Sequence, residues 1–198
     1  MAAIASGLNY NIIPDAISIA TCTTISSATP EYPGLPFAFG TTAAGLDGSA
    51  WIYAKPAGAY AIGTVGYFDT SWNFTALTTA NATLSGNLVG VMSQVASVTA
   101  SPSANQTSVP WSYDGVWVQV AGLCPAISGY TSSSANAQLY TVTPGSYPGS
   151  AATAGMLCSS SSNGAVAING IVFTTAIGSG GVANGVGILN APEILLTA

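Results

Sequence analysis

Residues 111–122 read Trp-Ser-Tyr-Asp-Gly-Val-Trp-Val-Gln-Val-Ala-Gly, and their alternation decides the fold class. Successive side chains of a pleated strand point to opposite faces. Val116, Val118 and Val120 therefore share one face, and Trp117, Gln119 and Ala121 the other. Asp114 and Gly115 suit the backbone angles of a tight turn, so residues 111–113 close the end of a preceding strand. A weaker copy lies upstream, where Asp47 and Gly48 lead into Ala-Trp-Ile-Tyr-Ala-Lys at 50–55 and then Pro56.

Working outward, further strands are expected at 63–68, 88–98, 138–142, 164–175 and 186–189, with Gly, Pro, Asn and Asp between them. The spacing predicts an all-β fold with little helix, either an antiparallel β-sandwich or a small β-barrel with long loops. Residues 72–84 read as one short helix or a loop, and 99–109 and 128–137 as loops rich in small polar residues. The first of these loops is the expected tip of a hairpin between 88–98 and 116–121. The glycine-rich run at 178–187 opens no strand-loop-helix unit and lacks a Lys-Ser/Thr pair, so it does not read as a phosphate loop. The apolar stretch 191–196 is expected to dock as an edge strand.

Two segments are expected: an extended N-terminal arm or edge segment at 1–45, and a β domain at 46–198. Pro14, Pro30, Pro33 and Pro36 fix φ and remove ladder donors, which favours an extended course over a surface. An alternation around Ile17 and Ile19 allows a short strand within 16–24. The segment reads either as an edge element of the same domain or as an arm onto a neighbouring subunit. For the arm, Ile12, Ile13, Tyr32, Leu35, Phe37 and Phe39 are spaced as anchors. Trp51 and Trp111 join them as candidates for a subunit or capsid interface, since large aromatics contribute much of the buried area in cores and interfaces. The alternative use of the tryptophans is a platform that stacks on sugar rings.

Charge narrows the function classes. Only 4% of the 198 residues are charged, with one lysine, no histidine, six carboxylates and a net charge of −5. Neutralising a nucleic-acid backbone takes several Lys or Arg side chains, so nucleic acid is not an expected partner. The mean hydropathy of +0.51 rests largely on Ala and Gly. The best apolar run, 165–177, is shorter than the roughly 20 residues a spanning helix needs, so no membrane partner is expected. The first residues carry no basic and apolar export pattern. Without histidine there is no ordinary Ser-His-Asp or Cys-His arrangement. Asp47 and Asp114 sit before glycine in expected turns, which explains them without acid–base chemistry. Cys22, Cys124 and Cys158 lie far apart and read as buried free thiols rather than disulfides or metal ligands. No catalytic residue, cofactor or metal is expected.

The stretches 46–55, 59–63, 89–91 and 114–122, followed by Ala154, Gly155, Met156 and Leu157 and a glycine-rich close, resemble decoration (cement) proteins of tailed bacteriophages. The likeness covers roughly residues 45–178. The chain departs from the pattern in lacking an arginine near Gly122 and in its long proline-bearing front segment. The resemblance implies a non-enzymatic, β-rich protein, often a homotrimer. It would be made in the host cytoplasm, bind the major capsid protein on the outside of the virion, and brace the shell against internal DNA pressure. The rival expectation is a carbohydrate-binding module or a head-fibre or receptor-binding domain that uses surface aromatics. A β-solenoid would need a fixed repeat, which the chain lacks.

Overall fold

The computed structural model describes residues 16–17, 39–45, 48–83, 85–92, 116–130, 133–145, 152–161, 165–178 and 182–195. The protein is all-β, with no helix among the described residues. Among the described residues, eleven strands form one mostly antiparallel sheet. In chain order they are β1 (Ala16–Ile17), β2 (Thr42–Gly45), β3 (Ala50–Pro56), β4 (Val65–Phe68), β5 (Asn73–Ala76), β6 (Val89–Met92), β7 (Val116–Tyr130), β8 (Leu139–Thr141), β9 (Leu157–Cys158), β10 (Ala167–Phe173) and β11 (Val182–Leu195). The spatial order is β1-β2-β3-β5-β4-β6-β7-β11-β10-β8-β9, with extra pairings β3–β7 and β7–β9. Those extra pairings close two rings, β3-β5-β4-β6-β7 and β7-β11-β10-β8-β9, which share β7.

Strand β7, which begins with the Val-Trp-Val-Gln-Val-Ala-Gly run at 116–122, is thus the common wall of both rings. Its first half pairs with β3 through Tyr53↔Trp117 and Ile52↔Val118, and with β6 through Val91↔Gln119. Its second half pairs with β11 from Asn190↔Ala121 to Val182↔Tyr130, and with β9 at Gly129↔Leu157. Between the halves the ladder to β3 shifts register between Ala50 and Trp51, and Gly122 takes a φ of 92°. A Cβ at Gly122 would lie 2.8 Å from Cα of Ser49, so the turn of β7 from one ring into the other requires glycine. Pro125 has no amide to donate and falls where the β7–β11 register shifts, a place a strand tolerates proline.

Each ring encloses its own core. Ile52 and Ala54 of β3, Phe68 of β4, Phe74 of β5, Met92 of β6, and Val116, Val118 and Val120 of β7 fill the first. The second gathers Cys124 and Ile127 of β7 with Leu139, Leu157, Ile168, Ile171, Phe173, Leu189 and Ile194, and it also takes Val65, Val89 and Val91 from β4 and β6. Backbone bonds stitch the rings together, including Ser128 N to Gly63 O at 2.8 Å and Val65 N to Gly155 O at 2.9 Å.

Several expectations are corrected. The expected helix or loop at 72–84 contains β5, followed by turns. The expected loop at 128–137 begins inside β7. The C-terminal stretch is no edge strand: it ends the 14-residue β11, pairing with β10 on one side and bonding residues 86–88 on the other. Neighbouring β6 and β7 pair as expected of a hairpin, while the loop at 99–109 and the turn at 114–115 lie outside the described residues. Strand β2 lies within 1–45 and pairs with β3.

The glycines of β11 face inward. A Cβ at Gly187 would lie 2.4 Å from Cδ1 of Ile127 and 2.5 Å from the Val172 carbonyl oxygen. Gly187→Ala should therefore destabilise the fold by about 1–3 kcal/mol, read as a lower urea midpoint. A substitution without effect would mean that β11 does not pack against β10 as described.

Candidate functional site

The aromatic interface candidates converge only in part. On the outer face of β3 and β7, Trp51, Tyr53, Trp117 and Ala43 form a small buried cluster. Trp51 is 1% exposed, and its indole donates to Ser49 Oγ at 2.7 Å. Its area is thus already spent inside this chain. Tyr53 lies 5.2 Å from Trp117, and on its other side stacks on Phe39 at 5.7 Å. Phe39 remains 39% exposed at the edge of the cluster. Ile12, Ile13, Tyr32, Leu35, Phe37 and Trp111 lie outside the described residues.

Gln119 is the polar member of this face and is fully buried. Its side-chain amide donates to the carbonyls of Ala121 and Leu123, each at 3.0 Å, which ties the strand across its own bend at Gly122. Its Oε1 has no hydrogen-bond partner. Gln119→Ala leaves both carbonyls without that donor. A loss of about 1–3 kcal/mol in unfolding free energy is expected by chemical denaturation, and an unchanged midpoint would show that the amide does not hold the bend.

The ionisable carboxylates and cation among the described residues are Lys55, Asp69 and Glu193. Asp69 heads the β4–β5 hairpin. Its carboxylate accepts from the Asn73 side chain at 2.7 Å and from the backbone amides of Ser71 and Asn73 at 2.8 and 2.9 Å. The Asn73 side-chain bond first, with the two backbone bonds, holds its carboxyl below the usual range against slight desolvation. These bonds make it a turn cap, which leaves little capacity for proton transfer. In the same turn Trp72 takes a φ of 60°, a region L residues seldom enter. The half-buried indole covers Gly40, where a Cβ would lie 2.3 Å from Nε1, and meets Phe68 edge-on at 6.1 Å. Packing thus accounts for a tryptophan at a position that favours glycine.

Cys124 and Cys158 are free and buried, in agreement with the sequence reading; Cys22 lies outside the described residues. Burial pushes the Cys124 thiol up to about 11, only slightly countered by its contact with the Ala126 carbonyl. Among the described residues no three His, Cys, Asp or Glu side chains gather as metal ligands, and no helix is long and apolar enough to cross a membrane.

One surface escapes sequence reasoning. Leu123 is 58% exposed and Ile188 47%, and the two face each other across β7 and β11. The signal was present in the alternation of glycine with large apolar residues at 185–188, but that pattern does not say which set points inward. Compared with known proteins, the chain matches no family model, and no curated protein is similar to it in sequence.

Burial shields both thiols from reagent, and for Cys124 it also disfavours the reactive thiolate, so Cys124 and Cys158 should resist iodoacetamide at neutral pH and label fully in denaturant, as read by peptide mass mapping. Rapid labelling of either in the native protein would contradict the burial described.

Proposed function

We propose that the protein is a non-enzymatic structural component of a virus particle that binds the outside of a tailed-bacteriophage capsid and stabilises it. One observation carries this reading. Of the separate stretches behind the resemblance, residues 50–55, 89–91 and 116–122 fall in β3, β6 and β7, which are hydrogen-bonded neighbours in one ring. The late Ala-Gly-Met-Leu stretch joins them, because Leu157 pairs with Gly129 of β7. Short motifs scattered over the chain thus meet on one strand, β7. The composition supports the same reading: a surface with few ions binds through shape and apolar contact and avoids the desolvation cost of buried charges. Repetition over a symmetric shell would raise a modest single-site affinity through effective concentration.

The partner in this reading is the major capsid protein, and the oligomer a homotrimer. Purified protein sedimented with expanded, undecorated phage heads should pellet with a saturating stoichiometry. Deleting residues 1–38, which spares Phe39 and its stack on Tyr53, should lower occupancy while the far-ultraviolet dichroism stays that of the β domain. Protein that remains in the supernatant at every concentration would refute the reading. The partly exposed Trp72 beside Asp69 and Asn73 favours sugar binding as the alternative. Glycan-array binding lost in Trp72→Ala would then point there instead.

A further inference from the structure

Asparagine followed by glycine occurs three times, at 163–164, 169–170 and 184–185. The first pair lies outside the described residues, and the other two have different surroundings. In β11 the ladder to β7 is unbroken through Asn184↔Ser128 and Gly185↔Ile127. The Asn184 side chain also accepts from Ser128 Oγ at 3.1 Å, and Gly185 is buried beside Phe173. Asn169 and Gly170 of β10 lie instead at a break in the pairing. Between Asn169↔Glu193 and Ile171↔Leu189 the single residue Gly170 faces three residues of β11, and the pairing of β10 with β8 ends at Ile168↔Leu139. Gly170 takes a φ of 73° and Ala191 opposite it one of 44°, so neither follows a regular strand. Asn169 is exposed, and its side chain makes no hydrogen bond among the described residues.

We infer that Asn169 is a self-modification site, which the chain converts to aspartate or isoaspartate with water as the only co-reactant. The Gly170 nitrogen gives its proton to solvent and bonds to the side-chain carbonyl carbon of Asn169, whose bond to the amide nitrogen breaks as ammonia leaves. Water then opens the resulting cyclic imide at either carbonyl. Glycine hinders this approach least, because it has no Cβ. Ring closure also turns the asparagine backbone away from its extended course, which an unbroken ladder opposes and a bulge relieves. The pair at 184–185 is held both by its ladder and by Ser128, so two sites of the same sequence differ in reactivity. The new carboxylate stands opposite Glu193, and like charges directly opposed weaken a sheet. Glu193 adjoins Ile194, through which the end of β11 bonds Gly86 and Asn87 at 2.9 and 3.1 Å. Conversion thus adds one negative charge to a net of −5 and loosens this attachment.

The test follows both sites by peptide mass mapping of the full chain, incubated in mildly alkaline buffer with and without denaturant. In denaturant the two should convert at similar rates. In the native protein Asn184 should convert at least about tenfold more slowly than Asn169. Asn169→Gln, which closes the ring far less readily and keeps an amide at an exposed position, should abolish the new acid at 169 and retain the fold. Asn169→Asp should melt below Asn169→Gln at neutral pH, since only the former sets a carboxylate against Glu193. Adding Glu193→Gln to both should remove that difference. A native protein whose Asn169 stays intact, or converts no faster than Asn184, overturns the inference, and equal midpoints for the two variants overturn its effect on β11. The site is independent of the capsid reading, and can fail while binding to the shell stands.

Discussion

The structure depends on one strand having its backbone satisfied along both edges by different partners. Buried amides and carbonyls must be paired, and β7 meets that demand with β3 and β6 along its first half and β11 and β9 along its second. A straight strand could not belong to two small rings. The bend at Gly122 turns it, Gln119 spans the bend, and the proline two residues after Leu123 falls where β11 slips register. Each device is local, yet together they decide where every other strand finds an edge. Closing the sheet on itself also leaves few open edges to pair with other chains.

The chemistry of the surface follows from the composition. A protein with one cation has little scope for ion pairs, and beside the backbone ladders many described side chains bond nearby backbone, while a few reach across the fold, as Thr79 does to Thr141 and Ser128 to Asn184. Asp69 illustrates this, since its carboxylate is occupied by its own turn. Asn81 does the same with its amide, which bonds the Ala76 carbonyl and accepts from Thr78 N. Polar groups here hold turns, and apolar groups are left to make contacts.

Much of the fold could be read from residues 50–55 and 116–121, because alternation of β-branched and aromatic residues has few other meanings. What escaped detection was continuation. Gly122 and Pro125 look like the end of a strand, whereas they are its bend and its bulge, with Pro192 in the same role in β11. Local propensity cannot distinguish a break from a bulge, since the difference lies in a partner strand far away in sequence. The short strands β5 and β9 were hidden for a related reason: two to four residues carry no period. Of the interface candidates, Trp51 shows the limit most clearly. Its residue type suits an interface or a core equally, and only the fold around Ser49 assigns it to the core.

The narrowness of the second ring explains why β11 is built as it is. A five-stranded ring has room for few side chains inside, and Phe173, Ile177 and Ile127 already occupy the space next to β11. Any Cβ at Gly185 or Gly187 would enter that space, so the ring demands glycine there. The outward positions are under no such constraint. Asn184 and Asn190 show that polar residues are accepted on that side of the strand. Leucine at 123, valine at 186 and isoleucine at 188 therefore add nothing that the ring interior requires. An exposed residue on a paired strand gains little of the free energy that burial gives an apolar side chain. The row would gain the free energy of burial only where water is excluded from it.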